Sequence, residues 1–139
     1  LFHAYQMSRH GDSDMARMSL ADYSAMVDEG RAETCLFEVR DSRDRLVGAI
    51  LTDRLRDGLS AVYSFFDADQ DRRSLGTFMI LSLISQSLVE GLPHVYLGYW
   101  IRSSRKMAYK ARFQPLEALG ADGWFRMALE DVTLPTSAV

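Results

Sequence analysis

The chain is short of the residues that several kinds of function require. It has a single cysteine, Cys35. No internal disulfide can form, and a reducing, cytoplasmic setting is expected. No apolar run reaches the roughly 18–20 residues of a membrane-spanning helix, and the longest candidate, from Phe78 to Val89, is broken by Ser82, Ser85, Gln86 and Ser87. No membrane association is expected. The opening Leu1-Phe2-His3-Ala4-Tyr5 has neither a basic segment nor a small-residue cleavage site, so it does not read as a secretory leader. It also lacks a starting Met, which points to a fragment or a domain of a longer protein. The histidines His3, His10 and His94 stand at no metal-ligand spacing with carboxylates or Cys35, so no metal is expected. Repeats and low-complexity segments are absent. The net charge of −3 argues against a bulk nucleic-acid binder.

What is present is a chain of 139 residues, 47% apolar, enough for one soluble domain with a true core. That domain is placed over residues 1–132, with a frayed tail over residues 133–139. Charge is unevenly spread. Between Glu90 and Glu117 there is no acid, but there are the bases Arg102, Arg105, Lys106, Lys110 and Arg112. Such a locally positive segment on an acidic chain suits either a confined phosphate-contacting patch or a solvated helix face.

Leu1 to His10 has helical spacing, with Leu1, Phe2, Tyr5 and Arg9 on one side. Ser19 reads as the N-cap of a second helix, with Asp22 in its first turn, Tyr23, Met26 and Val27 as its buried stripe, and Gly30 as its stop. Strands are expected over residues 34–40, 46–53 and 59–66. The Asp41-Ser42-Arg43-Asp44 turn and the Asp57-Gly58 hairpin signal make them an antiparallel meander. Gly48 marks a bulge or a close backbone approach. Cys35 shares a strand face with Phe37 and Val39 and reads as a buried, inert thiol. A helix over residues 74–90 should stop at Gly91 and Pro93. A strand over residues 94–100 should follow, with His94, Tyr96, Gly98 and Trp100 on one face. A short helix over residues 105–112 and a strand over residues 124–130 complete the chain.

The stretch from Ala61 to Gly76 organises the rest. A strand rich in β-formers (Val62, Tyr63, Phe65, Phe66) crosses an acidic turn (Asp67, Asp69, Asp71) and ends on Arg72-Arg73-Ser74-Leu75-Gly76, which opens the apolar helix. The first N–H groups of a helix lack intrahelical partners and sit at the positive end of its dipole. A phosphate or a carbonyl oxygen suits that position, and an ordinary Ser-capped or Asp-capped connection suits it equally. Strand, helix and next strand form a β-α-β unit, hence a right-handed crossover with parallel neighbours. In open sheets, ligands bind beyond the carboxyl ends of strands. The fold class is therefore α/β (α+β): a mixed sheet in which an antiparallel meander precedes a β-α-β unit.

That order is similar to the GNAT acyltransferase fold. The resemblance implies splayed parallel strands with an acyl donor between them, its pyrophosphate held at the helix start, here Arg72 to Thr77. Longer strings go further. Tyr63-Ser64-Phe65-Phe66-Asp67, Arg73–Thr77, Tyr96–Ile101 and Ser104–Pro115, with Arg9-His10 and Met15 near the start, resemble the C-terminal domain of arginyl- and leucyl-tRNA–protein transferases. The bacterial aspartate/glutamate leucyltransferases are the nearest match. Two departures stand out. The family's Y-D-P is Phe66-Asp67-Ala68 here, and the family's cysteine-bearing N-terminal domain is absent.

The resemblance implies transfer of leucine or arginine from a tRNA 3′ ester to the α-amine of proteins beginning with Asp or Glu, a tag for N-terminal-residue-dependent degradation. It implies no cofactor, since aminoacyl-tRNA is a co-substrate. The partners implied are the aminoacyl-tRNA 3′ end, acidic protein N-termini and the family's N-terminal domain. Aminolysis needs a neutral amine, an oxyanion site and two reactants in register. Asp67 and Tyr63 are the catalytic candidates. Arg73, Ser74, Leu75, Gly76 and Thr77 are candidates for the donor phosphate, and Tyr96, Gly98, Tyr99 and Trp100 for the terminal adenosine. Arg105, Lys106, Lys110 and Arg112 are candidates for the tRNA backbone, with Lys106 and Lys110 one helical turn apart. Arg9 and His10 are candidates for the acidic acceptor side chain. Two alternatives remain. One is an acetyl-CoA-dependent N-acetyltransferase, whose pyrophosphate loop Arg73–Phe78 matches only with altered spacing. The other is a non-catalytic tRNA- or partner-binding fragment.

Overall fold

A computed structural model describes residues 1–10, 19–28, 33–101, 103–104 and 107–128. The chain comprises two compact units, Leu1–Gly98 and Tyr99–Val139. The tail expected from residue 133 lies outside the described residues.

The first unit opens with α1 (Phe2–His10) and α2 (Leu20–Asp28). It continues with β1 (Thr34–Arg40), β2 (Leu46–Leu55), β3 (Gly58–Phe66), a 3₁₀ segment (Ala68–Arg73), α3 (Leu75–Val89) and β4 (His94–Tyr96). The sheet order is β1-β2-β3-β4. β1, β2 and β3 pair antiparallel, and β4 joins β3 in parallel. This is the predicted meander followed by a β-α-β unit, an α+β arrangement of the acyltransferase kind.

Local chemistry explains the turns. At the first return, the Asp41 carboxylate accepts hydrogen bonds from the Arg43 N–H (2.8 Å) and the Arg45 N–H (3.1 Å) and from Arg45 Nε (2.8 Å). These bonds hold the Asp41 carboxyl below its usual pKa, the Arg45 side chain contributing most. The second return is tight, with Leu55 opposite Gly58. Gly58, however, serves the sheet more than the turn. A Cβ there would stand 2.5 Å from the His94 carbonyl oxygen and 2.9 Å from the Tyr96 ring. Only glycine lets β4 approach. Gly48 meets both expectations: it pairs with Val39 beside a register shift, and a Cβ there would lie 3.1 Å from Met79 Sδ.

α3 covers one sheet face, burying Leu75, Met79, Ile80, Leu83 and Ser87. Ile50, Leu59, Met79 and Leu83 form the core, edged by Phe37, Val39, Ala61, Phe66, Leu92 and Val95. Each fully buried Leu, Ile or Met contributes about 1.5–3 kcal/mol. The helix stops as predicted: Leu92 N–H donates to the Ser87 carbonyl (2.8 Å), Gly91 N–H to that of Leu88 (3.2 Å), and Gly91 takes a φ of 69°. On the other face lies an aromatic cluster of Phe2, Tyr23, Tyr63 and Phe65, with Phe2 4.7 Å from Tyr23 and 5.4 Å from Phe65. The α2 start is the predicted reciprocal cap. Ser19 N–H donates to Asp22 Oδ2 (2.7 Å), and Asp22 N–H to Ser19 Oγ (3.1 Å). Gly30 and the side chain of Met26 lie outside the described residues.

Three expectations are corrected. Cys35 is exposed, because β1 is an edge strand and Cys35 sits near its start. Its Sγ still points to the Thr52 carbonyl (3.6 Å), and desolvation, then Glu90, raises its pKa. The strand after α3 ends at Tyr96 rather than Trp100, since Gly98 takes a φ of 71°. The helix expected over residues 105–112 is a 3₁₀ turn over Ala108–Arg112. In the second unit, that turn is followed by a hairpin of β5 (Leu116–Gly120) and β6 (Gly123–Met127). The sequence reading placed only its second strand. Ala111 and Met127 are the unit's buried residues among those described.

Gly58→Ala is expected to lower the urea midpoint by an amount equivalent to about 1–3 kcal/mol, because the clash is with backbone. Gly76→Ala meets only the Phe66 ring edge at 3.4 Å and should cost clearly less. Equal midpoints for the two variants would contradict this account of Gly58.

Candidate functional site

The carboxyl end of β3 leads straight into the candidate site. Asp67 N–H extends the ladder by donating to the Val47 carbonyl (2.9 Å). Its half-buried carboxylate then organises the turn. Oδ1 accepts from Asp69 N–H (3.2 Å), and Oδ2 accepts from Gln70 Nε2 (2.7 Å). Gln70 Oε1 in turn accepts from the exposed Arg73 guanidinium (2.8 Å). Asp67, Gln70 and Arg73 thus form a short relay from the strand end to the helix start. Each carboxylate oxygen keeps lone-pair capacity for a further donor.

The helix start is open. Ser74 takes a left-handed conformation (φ 48°, ψ 47°) and its side chain makes no cap bond to α3. A non-glycine residue in this region costs of order 1 kcal/mol. The helix begins with Phe78 N–H donating to the Ser74 carbonyl (3.0 Å), and among the described residues no side chain caps the N–H groups of Leu75, Gly76 and Thr77. This differs from the ordinary Ser cap that the sequence also allowed. The missing side chain of Gly76 faces the Phe66 ring, so this glycine serves helix–strand packing.

The structure does not bring Tyr63 to that junction. Its hydroxyl is buried in the aromatic cluster beside Gln6, whose side chain is fully buried. Burial raises the pKa of Tyr63, and Gln6 lowers it somewhat. Neither the amide nor the hydroxyl reaches good hydrogen-bond geometry with a partner. Burial, then Tyr63, also raises the pKa of Tyr23. Held protonated near neutral pH, Tyr63 can donate a proton in a hydrogen bond but cannot act as a base. Sequence reasoning missed Gln6, which lies on the buried side of α1 one turn after Phe2.

The other candidates are scattered. Tyr96 pairs with Ser60, near the start of β3, and its hydroxyl donates to Asp57 Oδ2 (3.1 Å). It therefore lies six residues, about 20 Å of strand, before Phe66. Gly98 is exposed just past it. Within the second unit, Tyr99 is 90% exposed, and Trp100 is half-buried with an unpartnered Nε1. Lys110 Nζ donates to the Tyr99 carbonyl (2.9 Å), and burial lowers its pKa. Arg112 is exposed. Arg105, Lys106 and the side chains of Arg9 and His10 lie outside the described residues. Among the described residues, no three His, Cys, Asp or Glu side chains are grouped to hold a metal ion, and no helix is long and apolar enough to cross a membrane.

Comparison with known proteins adds four findings. The family model described as arginine-tRNA-protein transferase, C terminus, matches residues 1–120. The chain is 54% identical over 132 residues to the aspartate/glutamate leucyltransferase of Granulibacter bethesdensis, a match covering 95% of this chain and 49% of that protein. It is 56% identical over 131 residues to the protein of the same name from Paramagnetospirillum magneticum, covering 94% and 54%. The chain thus spans about half the length of the curated relatives it matches. A crystal structure of a mutant BH1408 protein from Bacillus halodurans superposes with a TM-score of 0.52 at 13% identity, over 79% of this chain and 77% of that one. That likeness concerns the fold alone.

Tyr63→Phe removes a buried, unsatisfied hydroxyl and is expected to leave stability unchanged or raise it by about 1 kcal/mol. A raised phenol pKa gives stability that is present below the unfolded value of about 10 and lost as pH rises through the folded one. Unfolding midpoints should therefore fall above about pH 10, and less steeply in Tyr63→Phe. A variant clearly less stable at pH 7 would mean that the hydroxyl has a partner.

Proposed function

Because the chain belongs to the family of arginine-tRNA-protein transferase C-terminal domains, we propose that it carries the donor-handling half of an aminoacyltransferase. The reaction is transfer of leucine from the 3′ end of its tRNA to the α-amine of a protein beginning with Asp or Glu. The degradation tag is the corresponding biological role. Leucine is favoured over arginine by the names of the relatives that match at 54–56% identity.

The observation that supports this reading most directly is the junction of β3 with α3. It joins a carboxylate, a guanidinium and an uncapped helix start at the carboxyl end of a parallel strand. In the reaction, the amine nitrogen forms a bond to the ester carbonyl carbon, and the tetrahedral intermediate expels the ribose oxygen. The incoming ammonium loses one proton before attack and its nitrogen loses a second as the amide forms; the departing ribose oxygen takes up one of the two and the other passes to solvent. Asp67 is suited either to grip the ammonium or, as a general base, to accept a proton from it. The free N–H groups of Leu75, Gly76 and Thr77, with Arg73 alongside, suit the phosphate of the terminal nucleotide. Tyr63 acts at most by holding the sheet face behind the site. In the second unit, Arg112 and Lys110, with Arg105 and Lys106, would contact the acceptor-stem backbone, and Tyr99 offers a stacking surface. Arg9 and His10 remain the candidates for the acidic acceptor side chain.

The test is transfer of radiolabelled leucine or arginine from charged tRNA to peptides beginning with Asp, Glu or Ala. It uses this chain preceded by the N-terminal half of the Granulibacter relative, and the chain alone. Leucine should reach the Asp and Glu peptides only, and Asp67→Asn should reduce the rate at least about 100-fold. Label from arginyl-tRNA would reassign the donor. Absence of transfer from either tRNA, with acetyl-CoA retained instead, would overturn the reading in favour of an acetyltransferase.

A further inference from the structure

Helix α3 (Leu75–Val89) carries no charged residue, and it is apolar on both of its sides. Its inner side fills the core. Its outer side shows Phe78, Leu81, Leu88 and Val89, which are 51%, 52%, 74% and 80% exposed. Only Ser82 and Ser85 interrupt them. Phe78, Leu81, Ser85 and Leu88 follow at intervals of three, four and three, so they form one stripe along the helix. The Ser82 hydroxyl donates back to the Phe78 carbonyl (3.0 Å), so it needs no partner from outside. The two small residues would let another element's backbone come close.

A surface helix ordinarily turns charged residues to water, and one that is apolar all round belongs in an interior. A contiguous exposed apolar stripe marks a surface that something covers. The length of the relatives says what. This chain matches about half of each, and the matching family description places that half at the C terminus. A tethered half of similar size meets the stripe at high effective concentration.

We propose that the outer face of α3 is the docking surface for the N-terminal half that the full-length relatives carry. The inference needs only family membership and stands whether or not transfer is detected. It is tested by placing a reporter thiol on the stripe, Ser85→Cys in a Cys35→Ser background. Maleimide labelling at that position, read by peptide mass mapping because the N-terminal half brings cysteines of its own, is then timed in the chain alone and in the chain preceded by the Granulibacter N-terminal half, with Arg112→Cys as a control site. Labelling of Cys at 85 should slow at least about tenfold in the longer protein while the control is unchanged. In the longer protein, Leu81→Asp with Leu88→Asp should restore fast labelling. Equal labelling of the two proteins would overturn the proposal. So would protection that appears in the chain alone and grows with its concentration, which would assign the stripe to a second copy.

Discussion

The architecture depends on how closely the β4 backbone approaches the start of β3. The parallel contact spans only Gly58–Ser60 and His94–Tyr96, and it exists because Gly58 offers no side chain to the His94 carbonyl. Closing that contact completes the β-α-β unit and fixes where α3 must cross the sheet. With α3 fixed, its N-terminus has to lie beyond the carboxyl end of β3. A second glycine, Gly48, does the same service from the other side, admitting Met79 against β2. Two missing Cβ atoms thus set both the sheet edge and the helix height.

Polar groups at the junction follow a consistent economy. The Asp67 carboxylate, the Gln70 amide and the Arg73 guanidinium satisfy one another in series, which holds the turn without capping α3. Ser74, the residue best suited to cap, is instead in a left-handed conformation and its hydroxyl makes no cap bond. The structure bears the strain of one backbone position and, among the described residues, keeps three N–H groups clear of a capping side chain. In the aromatic layer behind, Gln6, Tyr23 and Tyr63 keep buried polar atoms without partners, a cost of roughly 1–3 kcal/mol each. Both features run against stability, as functional regions often do.

Much of the fold was legible because its signals are local. The Ser19–Asp22 cap, the Gly91-Leu92-Pro93 stop and the Asp41 turn each lie within a few residues, and each formed as read. What was illegible depends on neighbours distant in sequence. Alternation from His94 to Trp100 suggests a seven-residue strand, but the ladder with β3 covers only His94–Tyr96. Cys35 has the pattern of a core residue, yet the strand that carries it lies at the edge. The Asp57-Gly58 pair signalled a hairpin correctly, while the stronger demand for its glycine comes from His94. The β5 strand, Leu-Glu-Ala-Leu-Gly, has helical composition and becomes a strand by pairing with β6. For the site, the turn residues were visible as a cluster because they are contiguous. The burial of Gln6 and the remoteness of Tyr96 from Asp67 required the sheet.

Glu90 gives α3 a firm far end. Its carboxylate accepts from Gln86 Nε2 (2.6 Å) and pairs with Arg54 at the end of β2, just where the glycine stop satisfies the last carbonyls. The helix is therefore anchored at its C-terminus and against the core, and the end without a side-chain cap from Ser74 is the N-terminal one. Fifteen residues at 1.5 Å each make a rod of about 22 Å. Such a rod behaves as a ruler. Whatever grips its flank also fixes the height and direction of the tip, so the spacing between two reacting partners can be set by the length of one uncharged helix.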